Sequence, residues 1–117
     1  MSLVMEDFIV NPMENDTIVL QGEVHRKNVL DMVERLIEKP IPFHCEIVID
    51  LSDLEIESGL TLLTLANTFK AISRRVSTLT ITGAPKPLYN SMYSTGLLSG
   101  PNPIRIIQIG EESALPA

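Results

Sequence analysis

The spacing of hydrophobic residues along the chain changes several times between a strand-like and a helical period. Phe8–Val10 is a short apolar run, and Thr17–Val24 (TIVLQGEV) is a second run with strand character. The segment between them, NPMEND, contains the Asn, Asp and Pro residues that favour turns. The pattern predicts two strands joined in an antiparallel hairpin.

Three helices are predicted after the hairpin. Residues 28–39 place apolar side chains on one face, with Asn28 as the candidate N-cap. Residues 59–75 end in two arginines, which suit a helix C-terminus, and residues 87–96 can begin at a proline and end at a left-handed glycine. The core-facing residues expected on the three helices are Val29, Val33, Leu36, Ile37, Leu62, Leu65, Ala66, Phe69, Ile72, Leu88 and Met92.

Three further strands alternate with these helices. Residues 45–51 (CEIVIDL) are almost continuously apolar, as expected for a central strand, and residues 78–82 and 104–109 return to a strand pattern. Strands connected through helices pair in parallel by right-handed crossovers, whereas the first hairpin is antiparallel. The sequence therefore predicts one α/β domain spanning residues 1–117, with an open mixed sheet of about five strands and three to four helices.

Four carboxylates lie at the end of the predicted central strand and just after it, at Asp50, Asp53, Glu55 and Glu57. We expect this segment, DLSDLEIESG, to form a loop at the carboxyl end of that strand, where functional groups gather in open α/β sheets. Three interpretations remain open at this point. The acids could form a catalytic or metal site, they could lie at a helix N-terminus that attracts negative charge, or they could form a docking surface.

Composition and charge narrow the range of partners. Hydrophobic residues make up 44% of the chain and charged residues 21%, which is typical of a globular domain. The formal net charge of -6 disfavours nucleic acid and anionic lipid as partners. No stretch approaches the ~20 apolar residues that span a bilayer, so direct membrane insertion is not expected. A cytoplasmic location is expected instead.

The residues that usually carry catalysis are not combined in a recognisable motif. His25 and His44 lack further metal ligands at the usual spacing, and Cys45 lies in an apolar strand where a structural thiol is expected. Ser58 lacks the glycine pattern of a nucleophile elbow, and no glycine-rich phosphate loop precedes a helix. The sequence therefore predicts a protein without enzymatic activity, metal or cofactor.

A series of short motifs resembles the STAS domains typified by bacterial anti-sigma factor antagonists. In chain order these motifs are GEV (22–24), IVIDLSDL (47–54), ESGLTLL (57–63), LTITG (79–83) and STGLL (94–98). Each motif is weak alone, but their joint order is fairly specific and covers residues 17–109. The resemblance implies a mixed sheet with packed helices, a role without catalysis, and a switch loop before the second helix.

The resemblance also implies which residues form the switch. In antagonists of this family the loop reads approximately Asp-Ser-Ser-Gly-Leu, and its first serine is phosphorylated by a partner anti-sigma factor that is a serine kinase. The matching residues here are Ile56, Glu57, Ser58, Gly59 and Leu60, so the phosphoacceptor position holds Glu57. Glu57, Ser58 and Gly59, with Asp53 and Glu55 nearby, are the candidate partner-binding residues, and Ser58 becomes the acceptor if the register shifts.

Several functions agree with this resemblance. The first is a regulatory module that binds an anti-sigma factor of the serine-kinase type, with a permanent charge at the switch position. The alternatives are an accessory subunit of a membrane transport system, which would bind a transporter component, and a domain that binds a nucleotide or another small ligand. Capping of the second helix by Glu57 and Ser58 is a purely structural alternative, and a homodimer is possible in each case.

Overall fold

Strands and helices follow one another along the chain in the predicted order. The structure is a computed structural model that describes residues 7–39, 45–94, 96 and 104–108. Its elements are β1 (Phe8–Val10), β2 (Thr17–Val24), α1 (Val29–Ile37), β3 (Glu46–Ile56), α2 (Leu60–Ser73), β4 (Thr78–Ala84), α3 (Lys86–Ser94) and β5 (Ile104–Gln108). Predicted positions 40–44 and 109 lie outside the described residues.

The five strands form one mixed sheet in the order β1-β2-β3-β4-β5. Strand β1 pairs with β2 in an antiparallel manner, and the pairs β2-β3, β3-β4 and β4-β5 are parallel. Strand β3 lies in the middle of the sheet, as its apolar sequence predicted. The expectation of an open mixed α/β sheet of about five strands with three to four helices is thus confirmed, with three helices among the described residues.

One face of the sheet is buried under the helices. Burial alternates along much of β2, β3 and β4, so that Ile18 and Leu20 of β2 and Ile47 and Ile49 of β3 are fully buried. Their neighbours at intervening positions are half-buried or exposed on the opposite face. Helices α1, α2 and α3 pack against one another in sequence along the buried face.

Helix α2 has the expected inward face, whereas α1 is rotated relative to the prediction. All five core residues predicted on α2 are buried. On α1 the buried residues are Val29, Met32 and Leu36, while Val33 is half-buried and Ile37 is 50% exposed. Met32 and Leu36 lie within about 60° of Val29 around the helix axis, whereas Ile37 lies about 100° beyond Leu36.

The prediction that the acidic segment DLSDLEIESG forms a loop is wrong, because β3 continues through most of this segment to Ile56. Asp53 and Glu55 are therefore strand residues that pair with Gln21 and Glu23 of β2. The register shifts between Val19 and Gln21, so β3 has one additional residue at this point. Because of this bulge, the alternation of buried and exposed residues is interrupted after Leu51 but the strand does not end there. Pairing with the long strand β2 continues to Ile56.

A second bulge lies beside the first, in β4. The register between β4 and β5 shifts between Ile81 and Ala84, and Gly83 between them has a φ of 66°. A Cβ atom at Gly83 would overlap the Oγ of Ser52 and lie 2.7 Å from its backbone N. Only glycine allows this close approach, so Gly83 is a bulge residue inside β4 rather than the residue that ends the strand.

Candidate functional site

The candidate site lies where β3 passes into α2, at the carboxyl edge of the parallel strands. The backbone N–H of Glu57 donates to the carbonyl of Val24 at 2.9 Å, which continues the pairing of β2 with β3 beyond Ile56. Gly59 then adopts φ 86° and ψ -131°, a conformation open essentially to glycine alone, and α2 begins at Leu60. This sharp turn places residues 57–59 at an exposed corner.

The carboxylate of Glu57 connects two parts of the chain at this corner. Its Oε1 accepts a hydrogen bond from the backbone N–H of Arg26 at 3.0 Å and another from the Thr61 hydroxyl at 3.3 Å. Arg26 lies in the turn before α1, and Thr61 is a buried residue in the first turn of α2. One oxygen therefore joins the beginnings of both helices.

These bonds differ from those expected of a helix cap. Gly59 occupies the N-cap position of α2 and provides no side-chain cap. Glu57 binds the amide of Arg26 and a side-chain hydroxyl, rather than one of the free amides at the start of α2. Simple capping by Glu57 therefore does not account for its position.

The turn that receives Glu57 is itself organised by side-chain hydrogen bonds. Asn28 accepts from the His25 backbone N–H at 2.7 Å and donates to the Glu23 carbonyl at 3.1 Å. Asn28 is at the N-cap position of α1, as predicted, but it makes no side-chain cap bond to that helix. The His25 ring pairs with Asp7 at 3.2 Å, so this strand-end histidine has a structural partner.

The predicted site residues separate into two groups. Glu57, Ser58 and Gly59 are together at the corner, whereas Asp53 and Glu55 lie on the outward face of β3. Glu55 is directly opposite Glu23 of β2 in the strand register. A shallow cavity of about 280 Å³ between these strand ends is lined by Glu23, Val24, His25, Glu55, Ile56 and Glu57.

Two exposed leucines, neither of which is among the predicted partner-binding residues, lie next to the corner. Leu60 is 64% exposed and Leu63 is 46% exposed, although both belong to the apolar segment LTLLTL. Their spacing of three residues places them on one outward strip of α2. A signal was available in the sequence, because both leucines fall outside the inward stripe through Leu62, Leu65 and Phe69.

Neither a metal site nor a membrane helix is found in the described part of the chain. No group of three or more His, Cys, Asp or Glu side chains within it is placed to hold a metal ion. None of the helices described there is long and apolar enough to cross a membrane. His44 lies outside the described residues, and Cys45, at the start of β3, is a half-buried free thiol.

Comparison with known proteins finds similarity in structure only. No family model matches the sequence, and no curated protein matches it. The fold is similar to the crystal structure of a protein from Thermotoga maritima provisionally assigned as an anti-sigma factor antagonist, with a TM-score of 0.55 and 18% sequence identity. The similarity covers 92% of this chain and 91% of that one. The STAS-like fold inferred from the short motifs is confirmed.

Proposed function

We propose that the chain is one non-enzymatic domain that binds a regulatory protein partner in the manner of an anti-sigma factor antagonist. Its docking surface comprises Glu57, Ser58 and Gly59 at the start of α2, with the two exposed leucines beside them. Asp53 and Glu55 form an acidic margin on the neighbouring strand. The observation that carries the proposal is the carboxylate of Glu57, held beside the start of α2 by hydrogen bonds from Arg26 and Thr61.

Glu57 would give its partner a constant negative charge, whereas a serine at this position would be charged only while it is phosphorylated. The motif similarity aligns Glu57 with the serine that is phosphorylated in the family, and a carboxylate is charged at neutral pH without modification. Its hydrogen bonds to Arg26 and Thr61 limit the directions in which the charge can point. A partner that approaches α2 would therefore meet a negative group of defined position in every molecule.

The leucines supply the apolar contact that a protein partner needs. Leu60 and Leu63 are exposed next to Glu57 on the outward strip of α2. Side chains that become fully buried near the centre of an interface contribute most of the affinity, and charges near its margin contribute mainly to selectivity. The combination is typical of a protein-binding surface.

The charge near the corner disfavours the nucleotide alternative. Three carboxylates, those of Glu23, Glu55 and Glu57, line the cavity at the strand ends. Phosphate groups placed there would be repelled by these carboxylates. The cavity volume of about 280 Å³ is also at the lower limit for small-molecule sites.

Titration calorimetry with an anti-sigma factor of the serine-kinase type tests the proposal, and a kinase gene adjacent to the gene of this protein would identify the partner to use. The double substitution Leu60→Ala with Leu63→Ala should weaken binding about 10-fold to 100-fold, because it removes exposed contact area from α2. The matched control is Leu30→Ala, which truncates a 70% exposed leucine on α1 and should change affinity less than about 2-fold.

Two outcomes would contradict the proposal. Equal losses for the α1 and α2 variants would place the partner elsewhere on the domain. Absence of binding to the kinase, together with binding to a permease or ATPase encoded beside the gene, would favour the transport alternative.

A further inference from the structure

On the face of the sheet opposite the helices, a band of four residues that is uncharged except for Arg105 crosses β2 to β5, between Glu46 on one side and Asp50 on the other. Thr17, Val48, Thr80 and Arg105 are neighbours across the four strands in the observed register. Thr17, Val48 and Thr80 are half-buried, and Arg105 is exposed. No helix within the described residues packs on this face, since α1, α2 and α3 all cover the other one.

Opposite charges stand at the two ends of this band. Arg105 lies on the edge strand β5, and Glu14 bridges to Thr17 at the closed end of the β1-β2 hairpin. Both side chains are exposed, and in the described part of the chain neither has an ion-pair partner. Beside Glu14 is an open cavity of about 510 Å³, lined by Asn11, Pro12, Glu14, Asn15, Thr17, Val19 and Gln21.

We infer that two copies of the chain pair through this face, about a twofold axis parallel to the strands and between β3 and β4. Such an axis places β3 of one copy over β4 of the other, and β2 over β5. Val48 then faces the partner's Thr80, and Arg105 faces the partner's Thr17. The band is thus complementary to itself, as a twofold interface requires.

The ion pair follows from the same geometry. When Arg105 lies over the partner's Thr17, the cavity beside Glu14 is directly below its side chain. The guanidinium can enter that cavity and meet the carboxylate, and the axis creates this contact twice. The same operation places Asp50 over the partner's Thr82 rather than over a second Asp50, because these two residues are neighbours in the register.

The area of the sheet face around the band allows only a small interface. Four strands about 4.8 Å apart and about 20 Å long present about 400 Å² of face on each copy. The total of about 800 Å² lies below the minimum of about 1,000 Å² for a stable specific interface, as in weak or transient complexes. A weak dimer is therefore expected, with a dissociation constant between about 1 μM and about 1 mM.

Sedimentation equilibrium of the full chain, from about 1 μM to about 1 mM, tests this inference across the expected range of dissociation constants. The wild type should pass from monomer to dimer in that range. Arg105→Glu and Glu14→Arg should each raise the dissociation constant about 10-fold or more by placing like charges opposite each other. The variant that combines both reversals should return to within about 3-fold of the wild type.

Three controls make the result specific to this face. Lys70→Glu reverses an exposed charge on α2 and should leave the dimer unchanged. Val48→Lys should disrupt it, and circular dichroism of each variant checks that the monomer is folded. In a mixed sample of labelled and unlabelled protein, isotope-filtered NOEs should connect the methyl groups of Val48 with those of the partner's Thr80.

Two results would overturn the inference. A wild-type protein that is monomeric at every concentration has no such interface. A dimer that withstands Val48→Lys and both charge reversals associates through another surface, such as the free edge of β5. Because neither result involves the α2 corner, each leaves the proposed partner-binding function to its own test.

Discussion

Glu57 and Arg26 are joined by a hydrogen bond of 3.0 Å, from the backbone N–H of Arg26 to the carboxylate, across 31 positions of the chain. The same oxygen accepts from Thr61 at 3.3 Å. The proposed switch residue therefore also supports the local structure. A substitution at Glu57 changes both the charge at the corner and the link between the turn before α1 and the first turn of α2.

Removing this link should destabilise the domain. We expect Glu57→Ala to lower the free energy of unfolding by about 1 kcal/mol, because the Arg26 amide and the buried Thr61 hydroxyl lose their acceptor. Glu57→Gln keeps an oxygen at the same place and should cost about half as much. Urea denaturation followed by circular dichroism measures both values. An unchanged midpoint for Glu57→Ala would mean that the link is not formed in solution.

Gly83 should be far less tolerant of substitution than Gly59. In Gly83→Ala the new methyl group meets the backbone of Ser52, and the free energy of unfolding should fall by about 3 kcal/mol or more. Gly59 has space around its Cα, so Gly59→Ala meets only the strain of its backbone conformation, about 1–2 kcal/mol. Urea denaturation of the pair provides the comparison. Equal losses would contradict the close packing of the two bulges.

Asp50 should contribute to stability although it is one of several acids in the segment. Its carboxylate accepts from the backbone N–H of Ser52 at 2.9 Å and from the Ser52 hydroxyl at 2.6 Å, which supports the bulge in β3. We expect Asp50→Ala to cost about 1–2 kcal/mol. The exposed Asp53 makes no side-chain hydrogen bond within the described residues, so Asp53→Ala should change stability by less than about 0.5 kcal/mol. A reversed order in thermal or urea unfolding would argue against this role.

The architecture could be predicted from the sequence because the spacing of apolar residues that indicates each helix and strand is local and recurs along the chain. The five predicted inward residues of α2 recur at helical spacing, and the apolar segment of β3 lies between two clear helical patterns. The acidic segment was misassigned because its pairing is long-range. Asp53 and Glu55 resemble loop residues locally, and only the partner strand β2 extends the ladder past the bulge.

The sequence proposed the residues of the candidate site but not their geometry. The motif ESGL indicated Glu57, Ser58 and Gly59 without the structure. The hydrogen bond from Arg26 could not be predicted, because it joins a backbone amide in one turn to a side chain 31 positions later. Leu60 and Leu63 were not predicted as contact residues. The apolar composition of their segment does not show which leucines lie on the outward strip of the helix and which lie on the inward one.

The charge of Glu57 should weaken binding to a kinase-type anti-sigma factor. By the family resemblance, such a partner discriminates against negative charge at this position. A carboxylate has one charge where a phosphoserine has about -1.5 to -2, so the wild type should bind weakly rather than fail to bind. Glu57→Ser should strengthen the complex by about 1–3 kcal/mol and create a site that the kinase can phosphorylate.

Two further variants separate charge from shape in the same calorimetric titration. Glu57→Gln retains the acceptor for Arg26 and Thr61 but removes the charge, so it should strengthen binding nearly as much as Glu57→Ser if charge is decisive. Ser58→Ala removes the neighbouring hydroxyl but no charge, so it should change affinity less than Glu57→Gln does. If Glu57→Ser weakens binding, Glu57 is a positive contact and the transport or scaffold alternative gains support. If the kinase phosphorylates wild-type protein and Ser58→Ala abolishes this reaction, the switch residue is Ser58 instead.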